Sequence, residues 1–173
     1  MRDLKMQSLH PLFLIIMLLM WVPGNNALAL DDISISELSM LDRQYMLQQR
    51  TLLGDLSARH FGRQFNGNRD NDLALLQRLL DEGLVTNDQT LELQAMGIIM
   101  GDLLAADLDL DWVIYEDKYG RSRALRYRQT DNYLFPVTMI ARRREANNLT
   151  PVNEIYNKAH ATMTAALPAL PFQ

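Results

Sequence analysis

The spacing of apolar residues divides the chain into a helical part followed by a strand-rich part. Between residues 35 and 106, leucines, isoleucines and methionines recur every three or four positions, as they do on one face of a helix. After Asp107 the period changes, and the run from Trp112 to Tyr115 is β-branched and aromatic, which favours a buried strand. The pattern predicts helices first, then a sheet, then one more helix.

The first predicted helix runs from about Ile35 to about Arg59. Ser34 is its expected N-cap, and Glu37 would complete a capping box three residues later. One helical stripe is expected to face the core and consists of Leu38, Leu41, Tyr45, Leu52 and Leu56.

Two further helices follow a polar loop. The second begins at Asp70 or Asp72 and ends where Gly83 can supply a C-terminal cap. The third covers about 87–106, and Thr86 opens it as part of another capping box. Because this third helix is apolar nearly all round, we expect it to be the central, buried helix.

Gly97, Gly101 and Ala105 repeat every four residues and share one face of the third helix. Glycine destabilises a helix, so its repetition needs a reason. Close approach of another backbone is the favoured explanation, and a ligand lying against the bare face is the alternative.

The sheet is predicted as a three-stranded antiparallel meander. Its strands are the run that starts at Trp112, then 121–128, then 133–142, with Gly120 free to adopt positive φ in the first turn. Pro136 cannot donate to a sheet, so the third strand should be an edge strand or carry a bulge.

A final helix begins at Thr150, with Pro151 at its first position. Its apolar stripe is Val152, Ile155, Tyr156, Ala159 and Met163. The expected fold class is therefore α+β: a layer of three helices on a three-stranded antiparallel meander, closed by a C-terminal helix.

The first 29 residues have the form of a secretory signal peptide. Arg2 and Lys5 precede an apolar run from Leu12 to Val22, and Ala29 ends a small-x-small cleavage pattern. The run is too short to span a bilayer comfortably as a helix, although an uncleaved anchor is the open alternative. The chain has no cysteine, which excludes a lipoprotein anchor.

Cleavage after Ala29 would leave one domain over 30–166 and a loosely held tail over 167–173. No later segment is apolar enough to cross a membrane, so we expect a soluble periplasmic or secreted protein without a transmembrane segment. Because the chain lacks cysteine, its stability must come from packing.

Charge is distributed unevenly along this expected mature chain. Residues 30–115 carry a net charge of −9, whereas residues 116–145 carry +4. The mature protein is acidic overall, which argues against nucleic acid as a partner. Ion pairs between the helical and sheet parts are the simplest use of this layout.

A candidate ligand-binding cluster lies on the second strand and its turns. Its members are Tyr119, Arg121, Arg123, Arg126, Tyr127 and Arg128. Arginine forks and aromatic faces suit phosphate, carboxylate or glycan ligands. Alternation along a strand, however, points the first two arginines to one face and the last two to the other.

Asp102 is the other candidate, because it interrupts an otherwise apolar helix beside Gly101. A buried carboxylate needs a partner, and Arg126 or Arg123 is the expected one.

Catalytic and metal signatures are absent from the sequence. The alternating carboxylates near Asp70 and near Asp109 lack the glycine and glutamate positions of an EF-hand loop. His60 and His160 lie far apart, and no nucleophile elbow, phosphate loop or dinucleotide fingerprint occurs. We predict no catalytic residue, no metal ligand and no cofactor.

Five stretches of the chain form a recognisable pattern: QRTLLGDLSARHFGR, LELQAMGIIMGDLLA, WVIY, GRSRALRY and LFPVTMI. Together they resemble a known bacterial family, domain of unknown function 3806. The resemblance extends over about residues 45–145. It implies a bacterial, typically exported domain, and it supplies no catalytic or ligand residues.

The leading hypothesis is a non-enzymatic periplasmic binding or interaction module that recognises a protein or an envelope component through the sheet and its arginines. The alternative is an envelope-glycan hydrolase or transferase that uses a pair of facing carboxylates. A third possibility is peripheral association with acidic lipid through Arg142, Arg143 and Arg144.

Overall fold

A computed structural model describes residues 33–167. These residues form an α+β fold, as predicted. In chain order the elements are β1 Ser34–Glu37, α1 Met40–Phe61, α2 Arg69–Asp81, α3 Thr90–Leu108, β2 Asp111–Asp117, β3 Gly120–Arg126, β4 Tyr133–Leu134, α4 Met139–Glu145 and α5 Val152–Ala166. The predicted signal peptide and all but the first residue of the predicted tail lie outside the described residues.

The sheet is antiparallel with the strand order β1-β2-β3-β4. The β2–β3 hairpin pairs Ile114 with Arg123 and turns tightly before Gly120, whose φ of 124° only glycine adopts easily. The predicted meander is therefore present, and β1 adds a fourth strand by pairing Ile35 with Tyr115.

The beginning of the first helix was predicted wrongly. Ser34–Glu37 is a strand, and α1 begins at Met40. Ser39 is the N-cap, and its side chain and that of Asp42 form the capping box that was expected five residues earlier. Pairing of Ser34–Glu37 with β2 satisfies their backbone groups over a long range, which a local capping signal cannot anticipate.

The buried face of α1 also differs from the predicted stripe. Leu41 is 78% exposed, and Leu52 is at the border of exposure. The buried residues are instead Asp42, Met46, Gln49, Leu53 and Ser57. Polar side chains occupy this face because α1 meets arginines of the sheet as well as the apolar helix α3, so hydrophobicity alone gave the wrong face.

Helix α3 is the centre of the core, as predicted, and ten of its residues are buried. The two glycines explain how its neighbours come so close. A Cβ on Gly97 would lie 2.5 Å from the Pro136 carbonyl oxygen and 2.6 Å from that of Val137. A Cβ on Gly101 would collide with the Trp112 ring. These contacts support the packing explanation of the glycine repeat.

The third predicted strand is mostly helical instead. β4 ends at Leu134, and a 3-10 turn over Pro136–Thr138 leads directly into α4. Proline cannot donate to a sheet but suits the first position of a helical turn, so Pro136 ends the strand rather than bulging it. The three consecutive arginines that begin with Arg142 consequently lie on α4, and only Arg142 among them is exposed.

Helix ends elsewhere lie close to their predicted positions. Asn68 caps α2, rather than Asp70 or Asp72, and Gly83 adopts the expected positive φ just after it. The Thr86 backbone N–H donates to the Gln89 side chain at 2.8 Å, as a capping box requires, but α3 begins only at Thr90.

Helix α5 closes the core with the stripe that the sequence predicted. All five of its stripe residues are buried: Val152, Ile155, Tyr156, Ala159 and Met163. The helix begins at Val152, one residue later than expected, with Pro151 in the N-cap position. Within residues 33–167, no helix combines the length and apolarity needed to cross a bilayer.

Candidate functional site

The strand arginines divide into two groups, as alternation along β3 predicts. Arg121 and Arg123 project toward α1, where both donate to Asp42. Arg126 pairs with Tyr133 of β4 and points to the other face. Arg128 lies beyond the strand, in a turn, with an unusual φ of 49°.

Asp42 is the anchor of the first group. Its carboxylate accepts from Arg121 Nη2 at 2.6 Å and from Arg123 Nη2 at 2.9 Å, and only 3% of its side chain is exposed. The hydrogen bond from Arg121 is the main cause that lowers the pKa of Asp42 far below its ordinary value, although burial opposes it. The Arg123 guanidinium also stacks over the Tyr45 ring at 4.3 Å. These two arginines therefore serve to attach α1 to the sheet.

Asp102 pairs with a residue that the sequence did not indicate. Arg50 of α1 donates to both carboxylate oxygens, at 2.6 and 2.7 Å, and Trp112 Nε1 donates at 3.0 Å. The predicted partners, Arg126 and Arg123, are not involved. Because α1 packs directly on α3, Arg50 reaches Asp102 from the neighbouring helix. This pairing was not predicted because the buried face of α1 was predicted wrongly.

Of the two predicted tyrosines, only Tyr119 lies with arginines of the predicted cluster, because it lines a groove with Arg121 and Arg123. Tyr119 is 85% exposed in the β2–β3 turn, where Lys118 lies 5.1 Å from its ring centroid. Tyr127 is buried, and Arg128 lies over its ring at 5.1 Å. The predicted cluster is thus spread over both ends of the hairpin.

A groove of about 900 Å³ lies where β1 leads into α1 and where β3 ends. We call it the basic groove, and its charged lining residues are Glu37, Arg43, Arg50, Asp111, Arg126 and Arg128. Four arginines therefore face two carboxylates, which leaves an excess of two positive charges. Two of the predicted residues, Arg126 and Arg128, belong to it.

Three of these arginines keep most of their charge unneutralised. Arg126 donates through Nε to the Thr130 carbonyl at 2.7 Å, and its nearest carboxylate, that of the exposed Asp131, is 3.9 Å away. The side chains of Arg43 and Arg128 have no carboxylate partner within residues 33–167. Guanidinium groups in this condition are available to an external anion.

Arg43 and Arg50 were not predicted as site residues, although the sequence carries a signal for them. They are seven residues apart on α1, a spacing that places two side chains on the same side of a helix. This side of α1 comes next to Arg126 and Arg128 because β1, which precedes α1, pairs with the distant strand β2.

A second groove, of about 550 Å³, opens at the other end of the hairpin. Three of the predicted residues, Tyr119, Arg121 and Arg123, line it together with Arg142 and Tyr115. Because Asp42 already engages two of these arginines, this groove offers less free positive charge than the basic groove.

The carboxylates with the most contacts serve the fold. Asp72 accepts the backbone N–H groups of Asn66 and Gly67, at 3.0 and 2.8 Å, and so fixes the loop before α2. The Tyr156 hydroxyl donates to Asp107, and burial together with this bond raises the pKa of Tyr156. Within the described part of the chain, no three histidine or acidic side chains are grouped so that they could hold a metal ion.

Comparisons with known proteins agree with the expected family. Residues 72–156 match the model of the domain of unknown function DUF3806, a span that starts later and ends later than the resemblance over 45–145. A crystal structure from Bacteroides thetaiotaomicron VPI-5482 shares the fold with a TM-score of 0.66 at 16% identity, over 73% of this chain. This chain spans about half of that protein, 47% of its length. No curated protein sequence matches. The segment 72–156, which carries most of α2, all of α3, the β2–β3 hairpin, α4 and only the first five residues of α5, is a member of the DUF3806 family.

Proposed function

We propose that this domain is a non-enzymatic binding module of the bacterial periplasm, which holds an anionic group of a protein or envelope component in the basic groove. The observation that carries the proposal is the excess of arginine there. Within residues 33–167, Arg43 and Arg128 have no carboxylate partner, and Arg126 has only the exposed Asp131, 3.9 Å away. Phosphate and carboxylate groups are the ligands that match planar guanidinium donors.

The shape of the basic groove supports a ligand larger than a simple ion. Its volume of about 900 Å³ lies in the range of ordinary ligand pockets. Apolar side chains such as Ile35, Val113 and Trp112 line it between the charges. An anionic group presented on an extended or ring-shaped body would therefore use both the charges and the walls.

The backbone around Arg128 favours the same use. A non-glycine residue at φ 49° costs free energy, and such strain persists where surrounding structure holds the residue in place. Here it directs the exposed Arg128 to the groove beside Arg126.

The environment of the carboxylates favours binding over hydrolysis. A glycosidase needs two facing carboxyl groups, one of which can give a proton. Asp102 is held by Arg50 and Trp112, and Asp72 is held by backbone N–H groups. Each carboxylate already accepts hydrogen bonds from within the fold, which suits a structural role.

The test is a titration of the mature chain with citrate and with inorganic phosphate, followed by NMR of the arginine Nε–H signals. We expect the signals of Arg43, Arg126 and Arg128 to shift, with an affinity that falls as salt rises. Arg43→Gln and Arg128→Gln should each weaken binding about tenfold, because each removes a charge-assisted hydrogen bond.

Arg59→Gln is the matched control, since Arg59 is an exposed arginine at the end of α1 that does not line the groove. It should leave the affinity unchanged. Equal losses in all three variants would show that only net charge matters and would contradict a built site. Absence of any shift at the groove arginines would also overturn the proposal.

A further inference from the structure

Gly54 is a glycine in the middle of α1 that packing does not explain. Glycine in a helix interior costs about 1 kcal/mol relative to alanine. Gly97 and Gly101 compensate for that cost by admitting neighbouring backbone and ring atoms. Around Gly54, by contrast, no heavy atom apart from the adjacent residues and the nearby backbone of α1 lies within 4 Å of an added Cβ. The missing side chain therefore leaves open space.

That space is part of a groove of about 390 Å³ between α1, α3 and the loop before α2, here called the α1–α3 groove. Its apolar lining includes Phe65, Ile99, Leu103 and Ala106. A side chain at position 54 would project into the same space. The glycine thus keeps an apolar cavity open at the cost of helix stability.

The net charge of this groove is negative, whereas that of the basic groove is positive. Asp55, Asp72 and Asp102 line it, against the single cation Arg50, which also borders the basic groove. Arg50 pairs with Asp102, and loop N–H groups satisfy Asp72. The Asp55 carboxylate has no partner within residues 33–167 and lies exposed at the rim.

We propose that the α1–α3 groove binds a small organic cation with an apolar body, such as an alkylamine. The ammonium group would lie at the rim beside Asp55, and the alkyl part would lie against Ile99 and Leu103. A net charge of −2 in the lining attracts a cation and repels an anion. Burial of the alkyl part supplies about 0.8 kcal/mol for each methylene group that leaves water.

This proposal is independent of anion binding in the basic groove, so the two can fail separately. The test is calorimetry of the mature chain with hexylamine, hexanoic acid and hexanol at pH 7. We expect hexylamine to bind, and the carboxylate of equal length to bind at least tenfold more weakly. Equal affinity of all three compounds, or no binding of hexylamine, would overturn the proposal.

Two variants locate the ligand. Gly54→Leu should abolish hexylamine binding while thermal unfolding stays at or above the wild-type temperature, because the new side chain enters empty space. Asp55→Asn should weaken hexylamine about fivefold, as expected for one exposed ion pair, and leave hexanol unchanged.

Asp109→Asn is the control for lost negative charge. Asp109 is exposed, lies outside the groove, and has a positive φ that asparagine also tolerates. Its affinity for hexylamine should equal that of the wild type. If Asp109→Asn and Asp55→Asn weaken binding equally, or if Gly54→Leu still binds, hexylamine does not occupy this groove.

Discussion

The Pro136 carbonyl oxygen lies 2.5 Å from the point where a Cβ on Gly97 would be. Gly97→Ala must therefore push the 3-10 turn away from α3, and overpacking of this kind costs about 1–3 kcal/mol. We expect urea denaturation to show a lower free energy of unfolding by roughly this amount. An unchanged midpoint would contradict the close approach of these backbones.

The same substitution at Gly54 should stabilise the protein instead of destabilising it. An alanine Cβ there meets no atom within 4 Å outside the adjacent residues and the nearby backbone of α1, and alanine has the higher helix propensity. Gly54→Ala should therefore raise the free energy of unfolding by about 1 kcal/mol. Measured beside Gly97→Ala under identical conditions, the pair separates intrinsic propensity from packing. A lower free energy of unfolding for Gly54→Ala would show that the space beside Gly54 is occupied.

Removal of the Asp42 charge should loosen α1 from the sheet. Asp42→Asn keeps the volume but leaves Arg123 partly buried without its counter-charge, so we expect a loss of about 2 kcal/mol. Arg121 is 44% exposed and can turn to water, which limits the loss. Chemical denaturation at pH 7 provides the measurement, and Asp81→Asn on α2 is a control from a site exposed to solvent.

Acid should destabilise the protein through the same residue. The pKa of Asp42 is lower in the folded protein than in the unfolded chain, so below pH 4 the unfolded state binds more protons and is favoured. The stabilising effect is complete above the unfolded pKa and is lost as pH falls. Between pH 5 and pH 2, wild type should lose more stability than Asp42→Asn. Parallel pH profiles would show that Asp42 carries no such linkage.

Alkaline pH should destabilise the protein through Tyr156. Burial raises its pKa above that of the unfolded chain, so stability is complete below about pH 10 and decreases above it, where only the unfolded state releases the proton readily. Spectrophotometric titration should show one tyrosine that ionises only with unfolding.

Tyr156→Phe should remove that late-ionising group. It also leaves Asp107 without the hydroxyl that donates to it, at a cost of roughly 1 kcal/mol. If the variant retained the late ionisation, another tyrosine would be responsible for it.

Local patterns predicted those parts of the fold that depend on neighbours in sequence. The stripe of α5 and the buried α3 follow from helical periodicity, and the glycine repeat correctly indicated close packing. Ser34–Glu37 was predicted wrongly because its capping signal is local, whereas its actual partner, β2, lies far along the chain. Pro136 was read as a sheet irregularity, but it starts the turn into α4.

The candidate site was predicted to a similar extent. Charge counting drew attention to the arginines of 121–128, and alternation along β3 showed that they do not form one face. It could not show that Asp42 neutralises the first two, or that Arg43 joins Arg126 and Arg128, because those relationships depend on how α1 lies against the sheet. Whether these side chains bind a ligand stays a prediction.

The contact between Arg121 and Asp42 also bears on the order in which the chain folds. It joins residues 79 positions apart, whereas the β2–β3 hairpin pairs two consecutive strands that are joined by one tight turn. Loop closure costs entropy that grows with length, so the hairpin and the helices can form before this contact does. We infer that β1 and the start of α1, although they come first in the sequence, join the sheet last. Until β1 joins, the backbone groups at that edge of β2 are unpaired and the arginines of β3 are uncovered. A partly folded chain could therefore pair with a strand of another chain at this edge.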